Sequence, residues 1–178
     1  MANSKSLIAY FSRKGNNYVG GSIVNLPIGN TEVIAKKIQE LTGSDMFQIK
    51  TVKSYSEDYT ETTNVAQEEL RKNSRPELTG IVDDMDSYDV IYIGYPIWYG
   101  TMPMTVFTFL ESYDFSGKTI IPYCTHEGSG LGQSVRDIKK LCPNSRVHDG
   151  LAIKGSSVNR TQNDVSAWLH KLGISDKK

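Results

Sequence analysis

Cysteine is nearly absent from this chain: Cys124 and Cys142 are its only thiols in 178 residues. Two isolated cysteines cannot build the disulfide framework of a small secreted domain, and they form no metal-spaced cluster. Histidine is as sparse, with His126, His148 and His170 scattered so that no metal spacing arises. Long apolar runs are missing too. Leu7–Phe11 gives five consecutive apolar residues, against the ~20 a membrane-spanning helix needs, and too few for a secretory leader. These absences lead us to expect a cytoplasmic protein with no membrane insertion and no metal. Net charge is also lacking, since twenty Lys and Arg balance twenty Asp and Glu. Without a basic stripe interleaved with aromatics, a nucleic-acid partner is not expected. No serine or cysteine sits in a nucleophile motif, and neither G-x-G-x-x-G nor G-x-x-x-x-G-K-[ST] occurs. No catalytic side chain can be named, so any chemistry has to arrive with a cofactor.

What is present is an ordinary globular composition, 38% hydrophobic and 22% charged, in a length that suits one domain spanning residues 1–178. The zero charge hides an asymmetry: ten of the twenty acidic residues fall between Glu57 and Asp89, and the first 53 residues lean basic, with Arg13 and Lys14 adjacent. Such a run is ordinarily a solvated face.

The stretch Asp89–Met104, DVIYIGYPIWYGTMPM, organises the rest. Val90–Ile93 is an unbroken apolar run of the kind found in buried parallel strands. It stops at Gly94, and Pro96 forbids further pairing on its N–H side. Two large aromatics, Trp98 and Tyr99, follow in a short loop that Gly100 lets turn, and Pro103 opens the next helix. Either the pair plugs the top of a core, or it forms a flat wall for a flat ligand.

Taken in order, Ser6–Ser12 reads as a first buried strand, followed by a turn-rich passage from Arg13 to Gly29. Asn30–Thr31 cap a helix with Ile34, Ile38 and Leu41 on one face, ending at Gly43. A second strand covers Met46–Ile49, a loop Thr51–Tyr59, and a second helix about Thr62–Lys72 with Val65, Ala66 and Leu70 inward. After the central strand comes a helix with Val106, Phe109, Leu110 and Tyr113, then a strand over Thr119–Cys124. The loop Thr125–Gly130 leads to a helix bearing Leu131, Val135 and Ile138. A fifth strand lies within Arg146–Ile153, and a fifth helix carries Val165, Trp168, Leu169 and Leu172. Five strands alternating with five helices predict an α/β doubly wound parallel sheet with helices on both faces. In such a sheet ligands sit beyond the carboxyl ends of the strands, where three unusual loops fall together, which favours the wall.

Each loop suggests a task. Ser12 and Thr31 flank a helix N-terminus, whose free N–H groups suit a phosphate. The small residues after Cys124 let backbone approach the edge of a planar ring, and His126 and Glu127 could tune its protonation or simply be solvated. Cys124 and Cys142 read as core.

The combination AYFSRKGNNY, GNTEVIAKKI, GYPIWYG and CTHEGSG resembles the flavodoxin family over essentially the whole chain, and more narrowly a short-chain flavodoxin-like bacterial subfamily. The resemblance implies a five-stranded sheet in the order 2-1-3-4-5 and bound FMN. By matching positions, Ser12, Asn30 and Thr31 take the phosphate. Pro96, Ile97, Trp98 and Tyr99 line the isoalloxazine with Gly100 and Met102 close behind, and Thr125, His126, Glu127, Gly128 and Gly130 approach its other side. The family's phosphate loop is one compact run, whereas here eighteen residues separate Ser12 from Thr31. That excursion either covers the cofactor or supplies Arg13, Lys14 or Asn17 to the phosphate. An FMN-binding electron carrier working with redox partner proteins is the leading expectation. An NAD(P)H-dependent FMN oxidoreductase of the quinone-reductase type is the alternative. A phosphoacceptor domain of the same topology is disfavoured, since Ser12-Arg13 and Gly94-Tyr95 stand where its acidic residues are needed.

Overall fold

The short apolar runs become the middle of a parallel sheet, because a strand covered on both faces by helices must be apolar on both sides. A computed structural model describes residues 5–173. Its strands are β1 (Ser6–Tyr10), β2 (Gly15–Val19), β3 (Ser22–Leu26), β4 (Asp45–Gln48), β5 (Lys50–Thr51), β6 (Leu78–Thr79), β7 (Val90–Pro96), β8 (Thr119–His126), β9 (Arg146–Val147) and β10 (Leu151–Lys154). Its helices are α1 (Asn30–Thr42), α2 (Tyr59–Arg71), α3 (Met104–Glu111), α4 (Ser134–Leu141) and α5 (Gln162–Lys171). The main sheet runs β4-β1-β7-β8-β10, every neighbour parallel, which is the expected order 2-1-3-4-5. The fifth strand is interrupted: β9 pairs with Thr119–Ile120 and β10 with Tyr123–His126 along the same edge of β8.

Side chains alternate between two cores. Ile8, Tyr92, Ile121 and Ile153 pack with Ile34 and Ile38 of α1 and Val165 and Leu169 of α5. Leu7, Ile91, Ile93 and Ile120 pack on the other face with Val106, Phe109 and Leu110 of α3 and Ile138 of α4. Cys124 and Cys142 are buried in that second core, and burial pushes their thiols up to about 12 and about 11, so both are inert as nucleophiles. Among the described residues no helix is long and apolar enough to cross a membrane.

Several expectations need correction. Asn30 and Thr31 do not cap α1; both lie inside it, and its N-cap is Gly29, with no side-chain cap bond from that residue. The first strand ends at Tyr10 rather than Ser12, although Phe11 N–H still donates to Gly94 O (2.9 Å). The central strand does not stop at Gly94. It pairs with β8 through Pro96, because alternate residues of a strand point opposite ways. Ile97 N–H reaches Thr125 O (3.0 Å) on the β8 side, so the missing N–H of Pro96 faces the side where β1 has already ended. The turn-rich passage after β1 is a hairpin, β2–β3, closed at Gly20-Gly21 with φ of 61° and 93°. Finally, α2 begins earlier, capped by Asp58 accepting Glu61 N–H (2.9 Å), and buries Thr62 and Ala66 while Val65 and Leu70 are exposed.

Gly94 is fixed by its neighbour across the sheet. A Cβ there would lie 2.1 Å from Cζ and 2.2 Å from Oη of Tyr123, whose buried hydroxyl has no hydrogen-bond partner. Gly94→Ala is therefore expected to cost about 2–3 kcal/mol through overpacking. Tyr123→Phe removes an unsatisfied polar atom and is expected to add about 1 kcal/mol. Urea midpoints of both variants check the pair; a less stable Tyr123→Phe would contradict it.

Candidate functional site

Beyond the carboxyl ends of β1, β7 and β8 lies a cleft of about 270 Å³. One wall is the residue pair that follows β7. Trp98 N–H donates to Thr101 O (2.8 Å), and the two residues between them, Tyr99 and Gly100, both have positive φ (53° and 84°). This is a two-residue turn whose twist tolerates glycine readily and tyrosine poorly. Holding Tyr99 there costs about 1–2 kcal/mol, and the phenol is anchored by donating to Thr63 O of α2 (3.1 Å) while remaining half exposed. The indole of Trp98 meets Phe11 and Tyr55 edge-on, each at 5.3 Å between centroids, with interplanar angles of 89° and 80°. Tyr55 in turn donates to Glu69 Oε1 of α2 (2.7 Å). The turn is also braced from behind, where Gln133 N–H donates to Gly100 O (2.8 Å) and Met102 is buried. Gly132 allows that approach: a Cβ on it would sit 2.1 Å from Gly100 O.

The second wall comes from the hairpin. Asn17 and Tyr18 of β2 line the cleft with Tyr59 of α2, the two tyrosine rings 6.4 Å apart. Arg13 rivets the hairpin base to the loop before α2: Nη2 donates to Ser56 O (3.0 Å) and Glu57 O (2.8 Å), Nε to Ser56 O (3.2 Å), and Nη1 to Asn16 O. Asn17 Nδ2 donates to Arg13 O (3.0 Å), so its amide also shapes the hairpin. At the tip, Gly20 N–H donates to Glu127 Oε2 (3.2 Å).

The polar end of the cleft is the start of α1. Asn30 and Thr31 line it, and the hydroxyls of Thr31 and Thr125, both buried, are 2.8 Å apart. Backbone N–H groups of a helix N-terminus favour an anionic oxygen there without any cation. Glu127 contributes a carboxylate whose Oε1 is buried and has no partner among the described residues, a state that costs about 1–3 kcal/mol until a donor arrives. His126 Nδ1 accepts Gly128 N–H (2.9 Å), which leaves the neutral ring's proton on Nε2. Burial pushes this histidine below its ordinary value, Glu127 opposes the shift, and Lys154 adds to it.

The cleft thus brings together Asn17, Asn30, Thr31, Pro96, Ile97, Trp98, Tyr99, Thr125, His126 and Glu127 from the expected set. Four expected residues stand off its wall. Ser12 is not among the lining residues; its Oγ accepts Glu32 N–H (3.1 Å), a helix cap supplied from outside the helix, and its O–H is still able to donate. Gly100, the second residue of the turn, and Gly128 and Gly130, at φ of 140° and 65°, are not among the lining residues, and a Cβ on any of the three would meet nothing within 4 Å. Sequence reasoning missed Tyr18, Tyr59, Thr62, Thr63, Ala66 and Gly155 as lining residues. The Gly20-Gly21 pair was the available signal for the hairpin that carries Tyr18.

Comparison with known proteins agrees with this geometry. The family model described as flavodoxin matches residues 5–172, and the chain belongs to that family. No curated protein matches. Among solved structures, a candidate flavoprotein from Bacteroides eggerthii is 29% identical, with a TM-score of 0.76 over 97% of this chain and 100% of the other. A second, from Bacteroides uniformis, is 28% identical, with a TM-score of 0.72 over 94% and 98%. A flavoprotein from Lactobacillus acidophilus, solved in complex with FMN, is 22% identical with a TM-score of 0.62 over 88% and 97%, a likeness of fold.

The grip on Trp98 is open to a direct test through its outermost member. Glu69 is half-buried, and desolvation raises its carboxyl above the ordinary 4.5 while the Tyr55 hydrogen bond lowers it. A carboxyl raised in the folded state holds a proton there more readily, so the stability it carries is lost as pH rises through that value. Tyr55→Phe removes the opposing bond and deepens the loss. We expect it to cost about 1.5 kcal/mol at pH 7 and distinctly less at pH 4, where Glu69 is protonated. Urea unfolding at the two pH values checks this; an equal cost at both would show that Glu69 does not feel the phenol.

Proposed function

We propose that this chain holds FMN in the cleft and carries electrons between redox partner proteins. FMN, when bound, supplies reversible one- and two-electron chemistry. The residues supply the rest. Trp98 and Tyr99 offer aromatic faces to a planar ring, Asn30, Thr31 and Thr125 offer donors to a phosphate, and the hairpin shields the polar end from water. Carboxylates at Glu127 and, outside the cleft, at Asp58 and Glu61 on the first turn of α2 disfavour added negative charge on a ring nearby. The exposed ones also steer a basic partner toward the half-exposed Tyr99 rim.

The observation that supports a carrier over an enzyme is the state of Arg13. It is the one arginine of the lining, no lysine joins it, and its guanidinium is committed to three backbone carbonyls. Among the described residues, a nicotinamide nucleotide with several phosphate charges finds no free cation lining the cleft. A second reading, an NAD(P)H-dependent FMN oxidoreductase, is favoured by the neighbouring groove of about 740 Å³, where Lys14 and Lys50 stand with Ser12, Ser54 and Ser56.

An anaerobic titration of the FMN-loaded protein with NADPH and then NADH separates the two. The carrier reading expects the visible flavin bands to persist until a chemical reductant or a partner reductase is added. Rapid bleaching by either nucleotide would overturn it in favour of the oxidoreductase.

A further inference from the structure

Glu127 lines the cleft, and one of its two carboxylate oxygens is already employed. Oε2 accepts the N–H of Gly20 (3.2 Å) at the tip of a hairpin that starts over a hundred residues earlier in the chain. Oε1 is buried and accepts nothing. Its surroundings are known from Gly155, where a Cβ would fall 2.4 Å from Glu127 Oε1 and 2.7 Å from Asn30 Nδ2. The carboxylate and the amide of Asn30, at the start of α1, thus both lie against the bare backbone of Gly155, just past β10.

Resting on the FMN reading above, we propose that Glu127 is a specificity-determining residue that reads the hydroxylated chain of the ligand and ties the hairpin over it. An ionised carboxylate only accepts hydrogen bonds. It repels a phosphate oxygen and takes a hydroxyl, so Oε1 receives a polyol O–H while Asn30 Nδ2 donates to an oxygen beside it. Because the two carboxylate oxygens belong to one rigid group, a ligand that fixes Oε1 also fixes Oε2 under Gly20. Hairpin closure and polyol recognition become one event. A planar ring without a polyol chain gains nothing from this residue.

The test compares lumiflavin, riboflavin and FMN against wild type and Glu127→Gln, with affinity read from quenching of flavin fluorescence. The glutamine keeps one acceptor oxygen for two claimants, so riboflavin affinity is expected to fall about tenfold, while lumiflavin affinity stays within about twofold. Without ligand, amide exchange at Gly20 and Gly21 is expected to quicken in Glu127→Ala. Unchanged riboflavin affinity, equal losses for riboflavin and lumiflavin, or unchanged exchange at the hairpin tip would overturn the proposal and leave FMN binding intact. A wild type that binds none of the three flavins would overturn the FMN reading itself, and this proposal with it.

Discussion

The edge-on contact of Trp98 with Phe11 and Tyr55 is the interaction on which the cleft depends. An indole at the end of a strand is ordinarily free to choose among rotamers. Here Phe11, the first residue past β1, and Tyr55, in the loop before α2, close on it from two elements at 5.3 Å each. Tyr55 is held by Glu69 and Tyr99 by Thr63, so α2 grips both aromatics of the turn. The consequence is visible in α2 itself. Its inward face is Thr62 and Ala66, small and polar-tolerant, because the helix covers a cleft rather than a core.

The same logic explains the glycines that matter. Gly94 leaves room for Tyr123 beneath β7, and Gly132 lets the loop after β8 dock on the carbonyl of Gly100. Each is a close approach of backbone to a neighbour that any side chain would block. The strained φ of Tyr99 is tolerated because hydrogen bonds at both ends of the turn over-determine it.

Much of this was legible in the residues. The runs at Leu7–Phe11, Val90–Ile93 and Thr119–Cys124 are apolar on both faces, and only a doubly covered parallel sheet accommodates that. The strand order and the cleft's position follow from the topology. The hairpin was hard to read apart from its Gly20-Gly21 pair, because GNNYV and SIVNL lack a clean polar–apolar alternation and most of their residues are only partly buried or exposed. The α2 face was misread for a related reason: Val65 and Leu70 fit a helical stripe, but hydrogen bonds to Tyr55 and Tyr99 turn the helix so that both are exposed. Arg13 was a right residue type for an anion site, yet its guanidinium is engaged by backbone carbonyls, while Ser12 accepts a helix N–H and keeps its O–H to donate. Local composition cannot report which partner a polar group has found.

The central claim is that the indole of Trp98, held by its two neighbours, is the wall against which the FMN ring packs. Titrating FMN into wild type and Trp98→Ala, with the quenching of flavin fluorescence as readout, tests it most directly. The account predicts one FMN per wild-type chain and an affinity at least about tenfold weaker in the variant, as loss of an aromatic contact implies. Equal affinity in a folded Trp98→Ala would contradict it and place the ring elsewhere in the cleft.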